Sequence, residues 1–359
     1  MKKKIAIIGT QGVPNKYGGF ETLVEFLAEH LSLDFDITVF CSSEIYPEKT
    51  KEYKGCKLEY IPLKANGIQS IPYDIISLLK SVKKFDKILI LGSSGGLIMP
   101  FLSKYKDKFI LNFGGLDWKR SKWKYVAKKI LKISEKFTIK NSTFLISDNE
   151  GIQDYIKKNY KRESFLIAYG GDQAIKVTPT ASDFLKYPFL NSRFAFSVAR
   201  IQKDNNIEMI LESFQSNMNM PIIFVGNWNN SPFGKSMKLK FSNNKNIIML
   251  DPIYDQLKLD LIRSNCSVYV HGHSAGGTNP SLVEAMFLKL PILAFASGYN
   301  EKTTKNIAKY FKDSTELNLL LQNTPNNQLV EIGEKMKKVA DVNYKWELIA
   351  KDYAKIFNM

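Results

Sequence analysis

The sequence predicts an α/β protein made of two consecutive doubly wound, Rossmann-like units. Three observations predict it. Short runs rich in β-branched residues alternate with segments of helical period, the pattern of parallel strands joined by crossover helices. The alternation breaks over 170–191, a stretch carrying Gly170, Gly171, Pro179 and Pro188, and then restarts. The chain has 359 residues, more than one hydrophobic core usually covers.

The first unit is expected over 1–178, with strands at Ile5–Gly9, Asp36–Phe40, Lys57–Ile61, Lys87–Leu91, Phe109–Asn112, Thr143–Ser147 and Phe165–Ala168. Phe20, Leu23, Val24, Leu27, Ala28 and Leu31 share one face of its first helix. The second unit is expected over 190–340. Its strands are Phe194–Ala199, Ile222–Val225, Ile247–Leu250, Val268–His271 and Ile292–Phe295, and its helices Ile207–Ser216, Gln256–Ser264 and Ser281–Leu290. A terminal helix over 341–359, with Trp346, Ile349, Ala350, Tyr353 and Phe357 on one stripe, is expected to pack back on the first unit. Ligands of doubly wound sheets bind at the carboxyl ends of the strands, so two such units suggest a cleft between them.

Composition fits a folded chain: 44% hydrophobic, 12% aromatic and no long biased tract. The most apolar stretch, Ile88–Leu102, is interrupted by Gly92, Ser93, Ser94, Gly95 and Gly96, and reads as a buried strand followed by a helix start rather than a membrane span. The apolar run after Met1-Lys2-Lys3-Lys4 is too short for a signal peptide. Cys41, Cys56 and Cys266 are widely spaced and odd in number, which points to free thiols and a cytosolic location. The net charge of +16 suits nucleic acid, an anionic membrane, a phosphorylated substrate, or simply a Lys-rich solvated surface. No nucleic-acid-binding module accompanies it.

Two loops carry the chemistry. Gly9-Thr10-Gln11-Gly12-Val13-Pro14 follows the first strand, and Tyr17-Gly18-Gly19-Phe20-Glu21 opens the first helix. The amides of Gly18 and Gly19 at that helix start suit a phosphate. About ten residues separate strand from helix, so this is not the dinucleotide fingerprint. In the second unit, Val268–His271 runs into Gly272-His273-Ser274-Ala275-Gly276-Gly277-Thr278-Asn279-Pro280-Ser281. Pro280 fits the first position of a helix and Asn279 its N-cap. Gly277, Thr278, Asn279 and Ser281 then face a diphosphate. Glu284 lies about one turn further in, a carboxylate suited to sugar hydroxyls, with a surface helix residue as the bland alternative.

His271 and His273 have a spacing a metal could use, but without companion carboxylates they read as loop residues. Asp34-Phe35-Asp36 stands at the start of a strand, the wrong end of the sheet for a ligand. From 118 to 140, Trp123, Val126, Ala127, Ile130, Leu131 and Phe137 fall at helical spacing. Lys119, Arg120, Lys122, Lys124, Lys128, Lys129, Lys132, Lys136 and Lys140 crowd the remaining surface. The stripe is expected to face inward and the lysines to face an anionic membrane.

The run Gly276-Gly277-Thr278-Asn279-Pro280-Ser281-Leu282-Val283-Glu284-Ala285-Met286 resembles the signature region of the retaining family 4 glycosyltransferases of the GT-B fold. The blocks at 9–25, 116–123, 225–230 and 251–255 resemble its bacterial rhamnosyltransferase-like subgroup, and together they span nearly the whole chain. The resemblance implies transfer of a sugar from a nucleoside diphosphate sugar with retention, without metal or cofactor. Arg200, Lys203 and Glu284 would be the catalytic group. Arg200 and Lys203 would hold the diphosphate with the amides of Gly18, Gly19, Thr278 and Asn279, and Glu284 would hold the ribose. The leaving phosphate itself would take the acceptor's proton. Asp117, Trp118, Lys119, Arg120 and Lys122 would lie on the acceptor or membrane side. The implied acceptor is a lipid-linked saccharide at the inner face of the plasma membrane, in capsule or surface polysaccharide assembly, and dTDP-rhamnose is the implied donor.

Three positions depart from the pattern. Gly276 stands where the family has the first of two glutamates, Asn205 where it has a lysine (Lys203 is nearby), and Gly114 where the subgroup has an aspartate. These departures leave a non-catalytic member of the fold as an alternative, beside a UDP- or GDP-sugar donor and a nucleotide-sugar epimerase.

Overall fold

The computed structural model describes residues 2–16, 18–116, 118, 124–215 and 220–359. It divides into two compact units, Met1–Tyr169 with Trp346–Met359, and Gly170–Lys345. The stretch 170–191, where the alternation breaks, thus belongs to the second unit.

The first unit runs β1 (Lys4–Ile8), α1 (Gly19–Leu31), β2 (Asp36–Ser42), β3 (Glu52–Tyr53), β4 (Cys56–Ile61), α2 (Ser70–Ser81), β5 (Lys87–Leu91), a 3-10 segment (Ser94–Lys108), β6 (Phe109–Phe113), α3 (Tyr125–Asn141), β7 (Phe144–Ser147), α4 (Glu150–Tyr160) and β8 (Phe165–Leu166). Its sheet has the order β3-β4-β2-β1-β5-β6-β7-β8, parallel except for the β3–β4 pair. β1 pairs on both edges, and Ile5, Ala6, Ile7 and Ile8 are fully buried, as a central parallel strand covered on both faces requires. The α1 face read from sequence packs inward: Leu23, Val24, Leu27, Ala28 and Leu31 are buried and Phe20 rests against the same core.

The second unit runs α5 (Ala181–Lys186), β9 (Ala195–Val198), α6 (Ile207–Phe214), β10 (Ile222–Val225), α7 (Pro232–Phe241), β11 (Ile247–Leu250), α8 (Gln256–Arg263), β12 (Val268–His271), α9 (Pro280–Phe287), β13 (Ile292–Phe295), α10 (Tyr299–Thr303), β14 (Lys309–Phe311), α11 (Ser314–Asn323) and α12 (Asn326–Asn343). Its all-parallel sheet has the order β11-β10-β9-β12-β13-β14. Both units are Rossmann-like, each a parallel sheet with crossover helices. The terminal helix α13 (Trp346–Asn358) is part of the first unit. Trp346 stacks on Phe26 with ring centroids 4.4 Å apart, and Phe357 meets Phe35 edge-on at 5.4 Å.

The helix start read after β5 is a long 3-10 run, with Pro100 inside it. One expectation is corrected. The buried face of α3 is Leu131, Ser134, Glu135, Thr138 and Ile139, whereas Val126 is exposed and Ala127 and Ile130 only half-buried. The reason is close packing against the 3-10 segment. A Cβ at Gly96 would fall 2.1 Å from the Ser134 carbonyl oxygen, and the Ser134 hydroxyl donates to the carbonyls of Ser93 and Ser94. Small polar residues win that face because larger ones would not fit. Glu135, buried there, accepts hydrogen bonds from the hydroxyls of Tyr155 at 2.7 Å and Tyr160 at 2.6 Å.

The three cysteines are free and buried, and burial pushes Cys41 up to about 11 and Cys56 and Cys266 up to about 12. They are protonated core thiols rather than nucleophiles. Among the described residues, no helix is long and apolar enough to cross a membrane.

Candidate active site

In the second unit, the carboxyl ends of β9 and β12 carry two loops fastened to each other. Arg200 follows β9 and is exposed, and Lys203 opens the short 3-10 turn Lys203–Asn205, also exposed. Asn205 is buried. Its Nδ2 donates to the Arg200 carbonyl at 2.7 Å, and its Oδ1 lies 2.7 Å from His273 Nδ1. Asn206 Nδ2 donates to the Gly272 carbonyl at 2.9 Å, and the amide and hydroxyl of Ser274 both donate to the Asp204 carbonyl. Asn205 therefore bolts the loop that presents Arg200 to the loop that leads into α9. A lysine here would carry its charge into a buried position, so the departure from the family pattern has a structural reason.

α9 begins as read from sequence. Pro280 takes the first position and Asn279 is the N-cap, its Oδ1 accepting the Ser281 amide at 3.1 Å and the Ser281 hydroxyl at 2.7 Å. Tyr269 donates its hydroxyl to Ser281 Oγ at 3.0 Å. Ser281, expected at the donor, thus spends its hydroxyl on the cap. Gly277 and Thr278 are buried in the turn that precedes it. Gly276 has φ +124°, a backbone conformation that L side chains rarely adopt. The glutamate expected by resemblance is missing where the turn favours glycine.

Glu284 is neither a surface residue nor a free carboxylate. Its Oε2 pairs with Nη1 of the fully buried Arg263 on α8, and its Oε1 accepts from Gln173 Nε2 at 2.6 Å. Arg263 also holds Asp260, through Nε at 3.2 Å and Nη2 at 2.5 Å to Oδ1. Burial works against the charge on Arg263, but the carboxylates of Glu284 and Asp260 outweigh it and hold its pKa above the ordinary value. His271, at the end of β12, is buried against Tyr269 with Nε2 unpartnered. Burial, and then the nearby His273, push its pKa well below the usual histidine range, so it is neutral.

In the first unit, Gly18 is the N-cap of α1 and Gly19 its first residue, so the first-turn amides precede the helical ladder. The loop before them is built by acids of α1. Glu21 Oε1 accepts the Thr10 hydroxyl and the Gln11 amide, and Glu25 Oε2 accepts the Asn15 amide at 2.8 Å. Tyr46 donates to the Gly12 carbonyl at 3.0 Å and the Pro14 carbonyl at 2.7 Å. Gly114 packs on Phe20: a Cβ there would meet the ring at 3.0 Å, so the subgroup's aspartate would require that ring to move. Asp36 opens β2 and pairs with Lys57 at 2.7 Å, which gives the Asp34–Asp36 pattern a structural role.

Comparison with known proteins bears on each unit separately. Residues 183–339 match the family model for glycosyl transferases group 1. The chain carries a group 1 glycosyltransferase domain. Residues 2–172 match a second model, described as a domain of unknown function, DUF1972. It is 24% identical to an uncharacterized glycosyltransferase, MJ1069, of Methanocaldococcus jannaschii, over 99% of this chain and 98% of the relative. Its fold is similar to that of sucrose-phosphate synthase from Thermosynechococcus elongatus, with a TM-score of 0.82 at 16% identity over 99% of this chain and 98% of that one. It is also similar to Anabaena HepE in complex with UDP and glucose, with a TM-score of 0.75 at 12% identity over the whole of both chains.

Of the residues singled out from the glycosyltransferase's sequence, Asp117, Lys119, Arg120 and Lys122 lie outside the described residues, as do Tyr17 and Trp123. Trp118 is half-buried, with Lys132 Nζ 4.7 Å from its ring centroid. Sequence reasoning missed Arg263, Gln173 and Asn205's bolt. Asp260 and Arg263 stand at helical i, i+3 spacing and were detectable as a pair, but no spacing links either to Glu284. Two blocks that carried the resemblance have structural jobs. Trp228 is buried and donates Nε1 to the Leu250 carbonyl at 2.9 Å, and Asp255 caps α8 by accepting the Lys258 amide at 3.1 Å.

Proposed function

We propose that this glycosyltransferase moves a sugar from a nucleoside diphosphate donor onto a lipid-linked saccharide, with retention and without a metal. The observation that carries the reading is the junction of β12 and α9. A capped helix start, an exposed Arg200 and Glu284 all belong to the carboxyl edge of one parallel sheet, where ligands of such sheets bind. The guanidinium of Arg200 binds phosphate oxygens in a fork, with Lys203 beside it as a point charge. The amides of Thr278 and Asn279 stabilise the charge that grows on the leaving diphosphate. The bond from the anomeric carbon to the diphosphate breaks, and a bond to the acceptor oxygen forms on the same face. The acceptor's proton passes to the departing phosphate, so no protein base is required. Glu284 meets the nucleoside's ribose. In the first unit, the amides at Gly18 and Gly19 suit a further anionic group. dTDP-rhamnose is the donor favoured by the resemblance of the blocks at 9–25 and 225–230.

The acceptor reading rests on α3. Tyr125, Val126 and Ile133 are 71%, 67% and 47% exposed, and Lys124, Lys129, Lys132 and Lys136 are exposed on the same helix. Exposed apolar side chains among lysines suit an anionic membrane face, where a lipid-linked acceptor and a cytoplasmic nucleotide sugar meet.

A thermal-shift panel of dTDP, UDP, GDP and ADP tests the donor reading, because a ligand that binds only the folded state raises Tm. The expected result is selective stabilisation by one diphosphate that is lost in Arg200→Ala and Glu284→Ala. Stabilisation by none would overturn the site. Product analysis with the matching sugar nucleotide then separates transfer from epimerisation, which needs no acceptor.

A further inference from the structure

Glu284 reaches its site with both oxygens engaged, and the two engagements differ in kind. Oε2 is held by Arg263, whose guanidinium is fully buried and also tied to Asp260. That pair does not exchange readily: breaking it would cost a fully buried guanidinium one of its two carboxylates. Oε1 is held by the neutral amide of Gln173, a half-buried side chain on the segment that enters the second unit. This segment lies directly on the start of α9, since a Cβ at Gly171 would meet Val283 Cγ1 at 2.7 Å and the Glu284 amide nitrogen at 3.0 Å. It is fastened further along by the Ile175 amide to Asp260 Oδ2 at 3.1 Å and the Val177 amide to Ser264 Oγ at 3.1 Å. Gln173 is therefore held within reach of Glu284 by backbone bonds that do not involve Glu284 itself.

Resting on the reading that Glu284 meets the ribose, we infer that Arg263 is a positioning residue that leaves Glu284 one exchangeable oxygen, and that Gln173 is its displaceable occupant. The site therefore takes a single ribose hydroxyl and accepts 2′-deoxyribonucleoside diphosphates nearly as well as ribonucleoside diphosphates. A buried site committed to a hydroxyl rejects the analogue lacking it by about 10⁴-fold, because a polar group is left unpaired. Here the oxygen falls back on Gln173 when a hydroxyl is missing, so nothing is left unpaired. The surviving discrimination is that of one exchanged hydrogen bond, at most about tenfold.

The experiment is calorimetric titration of the full chain with matched ribo and 2′-deoxy diphosphates: UDP with dUDP, GDP with dGDP, ADP with dADP, and 5-methyl-UDP with dTDP. Wild type, Gln173→Ala, Arg263→Lys and Glu284→Ala are compared, with melting curves to establish that each is folded. For the base that binds best, the expected result is a ribo-to-deoxy ratio below about tenfold in wild type. Gln173→Ala binds the ribo form about three- to tenfold tighter, since no protein bond has to open, whereas the deoxy form, which leaves that bond closed in wild type, gains nothing, so the ribo preference rises. Arg263→Lys, which loses the two-pronged hold, weakens both forms while Gln173→Ala strengthens the ribo form, a contrast that a merely structural role for either residue does not produce. A preference for the ribonucleotide above about a hundredfold in wild type, or weaker ribonucleotide binding in Gln173→Ala, overturns the inference while leaving the Glu284 reading intact. Unchanged binding in Glu284→Ala overturns both.

Discussion

Glu21 Oε1 accepts the hydroxyl of Thr10 at 3.0 Å, so a carboxylate on the first helix holds the loop that leaves the first strand. The same oxygen accepts the Gln11 amide at 2.8 Å, and Glu21 and Thr10 are both buried. Hydrogen bonds to a charged group contribute about 1.5–3 kcal/mol. Glu21→Gln keeps the shape and removes the charge, so a loss of about 2 kcal/mol is expected, a Tm drop of several degrees. Thermal melts of the variant test this, and an unchanged Tm would show that the loop stands without the carboxylate.

This loop also marks the limit of what sequence could say. Gly18 and Gly19 were legible because glycines ahead of an apolar-periodic helix have one strong meaning. Glu21 was not, because a carboxylate in a helix's first turn is equally expected of an exposed residue beside the dipole. β10 to β13 matched their read bounds because each is a short apolar run closed by loop residues, buried along most of β10, β12 and β13 and half-buried in the edge strand β11. Glu52–Tyr53 and Lys309–Phe311 were missed because two- and three-residue edge strands have no period to detect. On α3 the period pointed to Val126 and Ile130, and packing chose Ser134 and Thr138, whose smallness matters only once Gly96 is known to lie beneath them. Glu284 was found by motif, while its partners Arg263 and Gln173 come from α8 and the segment before α5, and only the tertiary fold brings them together.

Asp74 on α2 supplies a pH-dependent term. Burial raises its carboxyl to about 7, against a weaker opposing hydrogen bond from Ser94. The folded state therefore keeps a proton that the unfolded chain, with a carboxyl near 3.9, releases. The stabilisation is fully present below about pH 4 and is lost as pH rises through about 7. Asp74→Asn lacks the term. Relative to that variant, wild type should lose stability between pH 4 and pH 8, by on the order of 4 kcal/mol at most. Melting both proteins at pH 4, 5.5, 7 and 8 checks the sign, and parallel curves would show that Asp74 keeps its ordinary pKa.

Gly276→Glu restores the carboxylate that the resemblance leads one to expect. At φ +124° any L side chain is strained, by about 1–3 kcal/mol. Gly276 and Gly277 are also buried, so the added carboxylate would start from a position shielded from water. The variant should melt lower than wild type and turn over no faster with any sugar nucleotide that wild type uses. Faster turnover would mean that the loop relaxes to accept the family's arrangement, and that its glycine is a loss rather than a fit.

The exposed face of α3 predicts binding to anionic lipid. Val126 is two-thirds exposed and Ile133 about half, so Val126→Asp with Ile133→Asp should lower Tm only slightly. Each lysine near an anionic surface contributes about 1 kcal/mol, so reversing two of them, Lys129→Glu with Lys136→Glu, should lower partitioning more than tenfold. Wild type should float with vesicles of phosphatidylglycerol and phosphatidylcholine, stay behind with phosphatidylcholine alone, and detach as salt rises, because the attraction is screened within about 10 Å at 0.1 M. Both double variants should stay behind with either vesicle. Flotation that ignores lipid charge and both substitutions would move the acceptor-side reading away from this helix, and leave the charge of +16 to a solvated surface.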